Sequence, residues 1–91
     1  MDAADLKVFE AVARLGGMGR AAEALHTVQS NVTARIRRLE KELGTPLFRW
    51  HARRVEPTPA GHRLLPYALR AARLLEEARR AALPERNIMA V

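Results

Sequence analysis

Val28, Val32, Ile36, Leu39 and Leu43 recur at spacings of four, four, three and four, one apolar stripe at helical period. A segment patterned this way is a helix with one side laid on a core. Its other side has a different chemistry. At about 100° per residue, Ser30, Ala34, Arg37 and Lys41 fall opposite the stripe, with Thr33 and Arg38 at its edges. Small groups lead and cations follow. That order suits a helix placed in the major groove of DNA, where small side chains let the backbone approach base edges and arginines reach phosphates. An ordinary surface helix with a solvated charged face carries the same pattern, so the rest of the chain has to decide between them.

Ninety-one residues make one small domain with a modest core. The formal net charge is +6 and the pI about 11.3. Fourteen of the sixteen cations are Arg, whose planar fork pairs bidentately with phosphate or guanine, so the bias points to nucleic acid more than to solubility. No apolar run approaches the roughly 20 residues that span a bilayer. The start, Met1-Asp2-Ala3-Ala4-Asp5, is acidic and unlike a signal peptide. Cysteine is absent, which excludes a disulfide framework and a thiolate zinc site. These features predict a cytoplasmic protein that does not engage membranes.

Four helical patterns follow one another. Leu6, Phe9, Val12 and Ala13 mark a first helix, capped by Asp2 or Asp5 and stopped at Gly16-Gly17. A short second helix covers about Gly19 to Leu25, with Ala21, Ala22 and Leu25 inward; its alanines permit the close approach of a helix–turn–helix corner. His26-Thr27 forms the turn, and the long third helix runs to Gly44 as C-cap. From Thr45 to Pro57 the helical period fails. Leu47-Phe48 can plug the core, and Arg49 to Glu56 can form a small hairpin with a basic tip. The expected fold is mainly α, a winged helix–turn–helix of three helices plus a short β-hairpin wing, followed by a long linker helix.

Thr58-Pro59 opens that last helix, Thr as N-cap and Pro at the first helical position. Leu64, Ala68, Ala71, Leu75, Ala78 and Ala82 then recur as a strict heptad seam, the pattern of a helix packed lengthwise on another. Leu65, Leu69 and Ala72 form a second ridge that can face the domain body, and Pro66 predicts a kink or a lost backbone bond near His62. A chain this small has little surface of its own to cover both ridges, which favours a dimer through the seam; the same helix could instead be simply the domain's own core helix. The expected organisation is 1–57 as DNA-binding domain, 58–83 as linker and dimerisation helix, and 84–91 as an irregular tail after Pro84 ends the helix.

Several blocks in order carry a family resemblance. Ala21-Ala22-Glu23-Ala24-Leu25-His26-Thr27-Val28-Gln29-Ser30-Asn31-Val32-Thr33, then Ile36 to Gly44, Pro46-Leu47-Phe48 and Thr58-Pro59-Ala60-Gly61 resemble the amino-terminal domain of LysR-type transcriptional regulators. The likeness runs from about Asp5 to Ala82. It implies a transcription regulator that binds double-stranded DNA sequence-specifically as a homodimer, with further assembly open. It also implies base contacts from Gln29, Ser30, Thr33 and Ala34, and from Arg53 of the wing at the adjacent minor groove. Thr27, Asn31, Arg37, Arg38, Arg49, His51 and Arg54 are the candidate phosphate contacts. The larger effector-binding domain usual in the family does not follow Val91, so no effector site is expected in this sequence.

The departures from the family pattern are specific. Ala34 stands where a longer polar residue is frequent and can offer only a methyl contact. Val28 replaces a usual Ser, leaving Thr27 to cap the recognition helix one residue earlier. Trp50 replaces a commonly basic wing residue, with Arg49 basic beside it. Gly17 and Gly19 stand where hydroxyl residues usually begin the second helix.

Other chemistries find little support. His26, His51 and His62 have no carboxylate or thiolate at ligand spacing, no phosphate loop or nucleophile motif occurs, and Trp50 and Tyr67 are too isolated to stack bases. Neither a metal, a cofactor nor enzymatic activity is expected. Glu40 and Glu42 are expected to pair with neighbouring arginines. A second class of function remains open: a short protein–protein module that heterodimerises with full-length relatives through the linker helix.

Overall fold

The computed structural model describes residues 1–52 and 54–84. α1 spans Ala3–Leu15. Its start is a reciprocal capping box. The Asp5 N–H donates to the Asp2 carboxylate at 2.8 Å, and the Asp2 N–H donates to the Asp5 carboxylate at 3.0 Å. Gly16 ends the helix in the left-handed region at φ 73°, which a residue without Cβ adopts freely. α2 runs over Met18–Ala24, one residue earlier than the sequence pattern predicts at its start and at its end, and buries Met18, Ala21 and Ala22. The corner is closed by His26 at φ 57° and by the Thr27 N–H donating to the Ala22 carbonyl at 2.9 Å.

α3, Gln29–Leu43, is the amphipathic segment, and Gly44 caps its end at φ 71°. Val32, Ile36 and Leu39 are buried as their spacing requires, but the two ends of the expected stripe are not: Val28 is 59 % exposed and Leu43 40 %. Val28 is the N-cap, with extended backbone, so it lies before the helix and off the stripe. Leu43 is the last residue of the helix, beside its Gly44 cap. Thr27 does not cap α3. Its hydroxyl accepts instead from the Asn31 side-chain amide at 2.9 Å, and Val28, the N-cap, offers the first backbone N–H groups of the helix no side-chain acceptor.

The wing consists of β1, Phe48–His51, and β2, Arg54–Pro57, antiparallel with Trp50 opposite Val55 and Arg49 opposite Glu56. It is fastened on both sides. The Glu40 carboxylate of α3 accepts from the Leu47 N–H at 2.7 Å and the Phe48 N–H at 3.3 Å. Val55 donates its N–H to the Gly16 carbonyl at 3.1 Å. Glu40 therefore does not pair with neighbouring arginines, because two otherwise unpartnered backbone donors lie in its reach. Glu42 bonds to the Met1 amino group rather than to an arginine. Phe48 enters the core against Phe9 of α1, with ring centres 5.2 Å apart.

α4 covers Pro59–Ala82 and continues without interruption through Pro66. Thr58 roots it: its hydroxyl donates to the Pro46 carbonyl at 2.7 Å and accepts from the Gly61 N–H at 3.1 Å. Gly61 is required by contact, since a Cβ there would stand 2.2 Å from the Leu47 carbonyl oxygen. The first half of α4 packs along α1, and there the expected seam needs correction. Ala68 is fully buried within the chain, and Leu64 packs with Leu65 against the core. Two of the six seam residues are thus used internally, because the side of α4 that meets α1 includes them. Leu69, expected to face the body, is exposed instead. Beyond Ala72 every described residue of the helix is exposed, including Leu74 and Leu75. The tail beyond Pro84, expected to be irregular, lies outside the described residues.

Candidate nucleic-acid interface

The exposed side of α3 begins with Gln29, Ser30 and Asn31, continues through Ala34, and ends in Arg37, Arg38 and Lys41; Thr33 is half-buried at its edge. Burial of Val32, Ile36 and Leu39 on the other side fixes which side chains point outward. Close approach is possible at the leading end because nothing larger than Gln29 stands there.

A groove opens on each side of α3. The one toward the wing is lined by Gly19, Arg20 and Gln29 on one bank and Trp50, His51 and Arg54 on the other. The end of the Gln29 side chain lies over Gly19, 3.2 Å from where a Cβ would be, so a bare backbone gives it room. The opposite groove, toward α1, is lined by Thr27, Asn31, Ala34 and Arg38 together with Lys7 and Arg35. Thus Gln29, Arg54 and His51 meet across one channel, and Asn31, Ala34 and Arg38 line the other.

The wing cations are exposed but not all free. Glu56 sits among them, 3.2 Å from an Arg54 nitrogen, 3.4 Å from His51 Nε2 and directly across the ladder from Arg49. Arg53, expected at the minor groove, lies outside the described residues. Sequence reasoning missed two features of this face. One is Trp50, whose ring has the Arg37 guanidinium 4.5 Å from its centre; the only signal was an aromatic where a cation is usual. The other is Arg35, which donates to the buried Asp5 carboxylate at 2.9 Å and had no local partner to betray it.

The family model for bacterial regulatory helix-turn-helix proteins of the lysR family matches residues 3–62. This chain belongs to the LysR family. Among curated LysR-like relatives, the HTH-type transcriptional regulator YofA of Bacillus velezensis is 52 % identical over 82 residues, 90 % of this chain and 28 % of that protein. The regulator HdfR of Yersinia enterocolitica is 53 % identical over 68 residues, 75 % of this chain and 23 % of its own length. The chain therefore spans about a quarter of the curated relatives it matches. Among solved structures, the CbnR_DBD–DNA complex is 39 % identical with TM-score 0.77, covering 91 % of this chain and all of that one. The oxidized form of Corynebacterium glutamicum OxyR is 31 % identical with TM-score 0.87, covering 91 % of this chain and 27 % of that one. The winged helix–turn–helix expected from the order of elements is the fold of this LysR-family domain. Among its described residues no helix is long and apolar enough to cross a membrane.

Proposed function

We propose that this domain reads duplex DNA for a cytoplasmic transcription regulator, with α3 in the major groove and the wing at the adjacent minor groove. The observation that carries the reading is the exposed side of α3: small polar groups at its start, arginines after them, and a cationic wing facing it across the groove from Gln29. Anions are favoured across that whole side, while only the leading turns are slim enough to approach base edges. CbnR and BenM fragments of similar fold were solved with DNA. Gln29, Ser30, Thr33 and Ala34 are the base contacts in this reading, joined by Arg53 through family likeness. Thr27, Asn31, Arg37, Arg38, Arg49, His51 and Arg54 hold phosphates.

Residues 1–57 form the reading head and 58–83 the linker that pairs two copies. Ala71, Leu75, Ala78 and Ala82 carry the contact, since Leu64 and Ala68 already serve the head. The exposed Leu74 and Leu75 support this division.

The test is selection of duplexes from a random pool, followed by titration of the wild type and Gln29→Ala on the selected and on scrambled duplexes. Gln29 can pair with adenine N6 and N7, so its loss should cost roughly 1–3 kcal/mol on the selected site and little on the scrambled one. Failure to enrich any sequence would overturn the reading, and equal losses would remove Gln29 from it.

A further inference from the structure

We propose that Trp50 is a positioning residue for Arg37: its indole face holds the guanidinium ready for a DNA phosphate without neutralising it. This rests on the reading that α3 lies against duplex DNA. Successive residues of a strand alternate sides, so Phe48 and Trp50 share one side of β1. Phe48 sinks into the core, whereas Trp50, further along, stays 43 % exposed and reaches α3. There the Arg37 guanidinium carbon sits over its ring at 4.5 Å.

The partner's chemistry matters. Arg14, Arg35 and Arg54 are each held by a carboxylate, from Glu10, Asp5 and Glu56 respectively. A carboxylate cancels charge and occupies the N–H donors that a phosphate would use. An indole does neither: its ring face attracts a cation, and its one polar group is itself a donor. Arg37 therefore keeps its full charge and donors while losing the freedom of a long, exposed side chain. The same contact ties α3 to the wing close to the groove shared by Gln29, Trp50 and Arg54, so a phosphate bound by Arg37 would be registered against both elements. In this chain an aromatic at position 50 supplies indirectly what a cation there would supply by contact.

Trp50 is the only tryptophan, which makes the contact observable without DNA. Arg37→Ala and Arg37→Gln should each shift the emission of the free protein; unchanged emission in both would overturn the proposal at its root. The second measurement is a double-mutant cycle on a selected duplex, repeated over a range of salt concentrations. Trp50→Leu, which keeps apolar bulk without a ring face, should weaken binding about two- to fivefold when Arg37 is present and have no further effect in the Arg37→Ala background. Trp50→Phe should stay within about twofold of the wild type. If Trp50→Leu loses its helical circular dichroism, Trp50→Thr, suited to an exposed strand, takes its place. Equal losses in both backgrounds, or tighter binding by Trp50→Leu, would overturn the proposal, the latter because the ring would then be withholding Arg37. A wild type that shows the emission contact yet binds no duplex would instead overturn the DNA reading beneath it.

Discussion

Arg35 Nη1 of α3 donates to the Asp5 carboxylate of α1 at 2.9 Å, and that same carboxylate accepts the Asp2 N–H that begins α1. One side chain thus closes a helix cap and ties the reading helix to the first helix of the bundle.

Asp5 is only 8 % exposed. Burial alone would raise its pKa, but the Asp2 N–H and the Arg35 guanidinium outweigh that effect and hold it below the ordinary value. A depressed folded pKa contributes stability that is present above the unfolded value, about 3.9, and fades as pH falls through the folded one. Asp5→Asn should therefore lose about 1.5–3 kcal/mol at pH 7, the usual worth of hydrogen bonds to a charged group. The gap from the wild type should shrink as pH drops below about 4. Urea melts of both proteins at pH 7 and pH 3 measure it, and a gap that widens in acid would contradict the assignment.

Phosphate contacts should announce themselves through salt. Arg38→Ala and Arg49→Ala should weaken binding to selected and scrambled duplexes alike, each flattening the log–log salt dependence by about one unit. Glu56→Gln should act oppositely, tightening binding to both, because it releases Arg54 and His51 from their carboxylate. Fluorescence anisotropy at several salt concentrations decides; a loss confined to the selected site would make the arginine a base reader.

Leu75 is 47 % exposed on the part of α4 that has left the body. If two copies pair there, Leu75→Glu buries an unpaired charge, at a cost of several kcal/mol. The protein should become monomeric but stay folded, and should lose far more affinity for a two-half-site palindrome than for one half-site. Analytical sedimentation gives the first result and titration the second. A dimer that survives the substitution would put the contact on another surface.

Gly61→Ala is the sharpest steric test. Its Cβ would meet the Leu47 carbonyl oxygen at 2.2 Å, and that oxygen already accepts the Thr58 N–H at 2.9 Å, so little can give. The expected loss is about 1–3 kcal/mol or more, read as a lower midpoint in thermal unfolding. Wild-type stability would mean that the root of α4 is looser than these distances.

Much of the fold was legible because its signals are local. Gly16 and Gly44 end α1 and α3 as their positions predict, Thr58-Pro59 opens α4, and the 3.6 period of Val32, Ile36 and Leu39 survives as buried contact. What escaped is tertiary. Glu40 has Arg37 at helical spacing, and no local rule tells that backbone donors seven and eight residues on will claim it. Arg37 and Trp50 are neighbours only once the tertiary fold brings the wing's indole beside the guanidinium. The seam on α4 was half readable, because alanines at heptad spacing fit a partner chain and the flank of α1 equally well, and Ala68 took the second option. The legible part of the interface is the exposed side of α3, which follows from its buried side.

The socket at Thr58 and Gly61 has a mechanical consequence. A helix of 24 residues is about 36 Å long at 1.5 Å per residue, and its near end is clamped by the Pro46–Leu47 backbone rather than hung on a slack tether. It is a lever. The first half is also braced along α1, so the free arm is the part beyond Ala72, about 15 Å long, and a tilt of about 5° where it leaves α1 displaces the far end by roughly 1.3 Å. A push applied at the far end is likewise delivered to the segment that carries Leu47, Phe48 and the wing. Torque can pass in either direction through one crowded glycine.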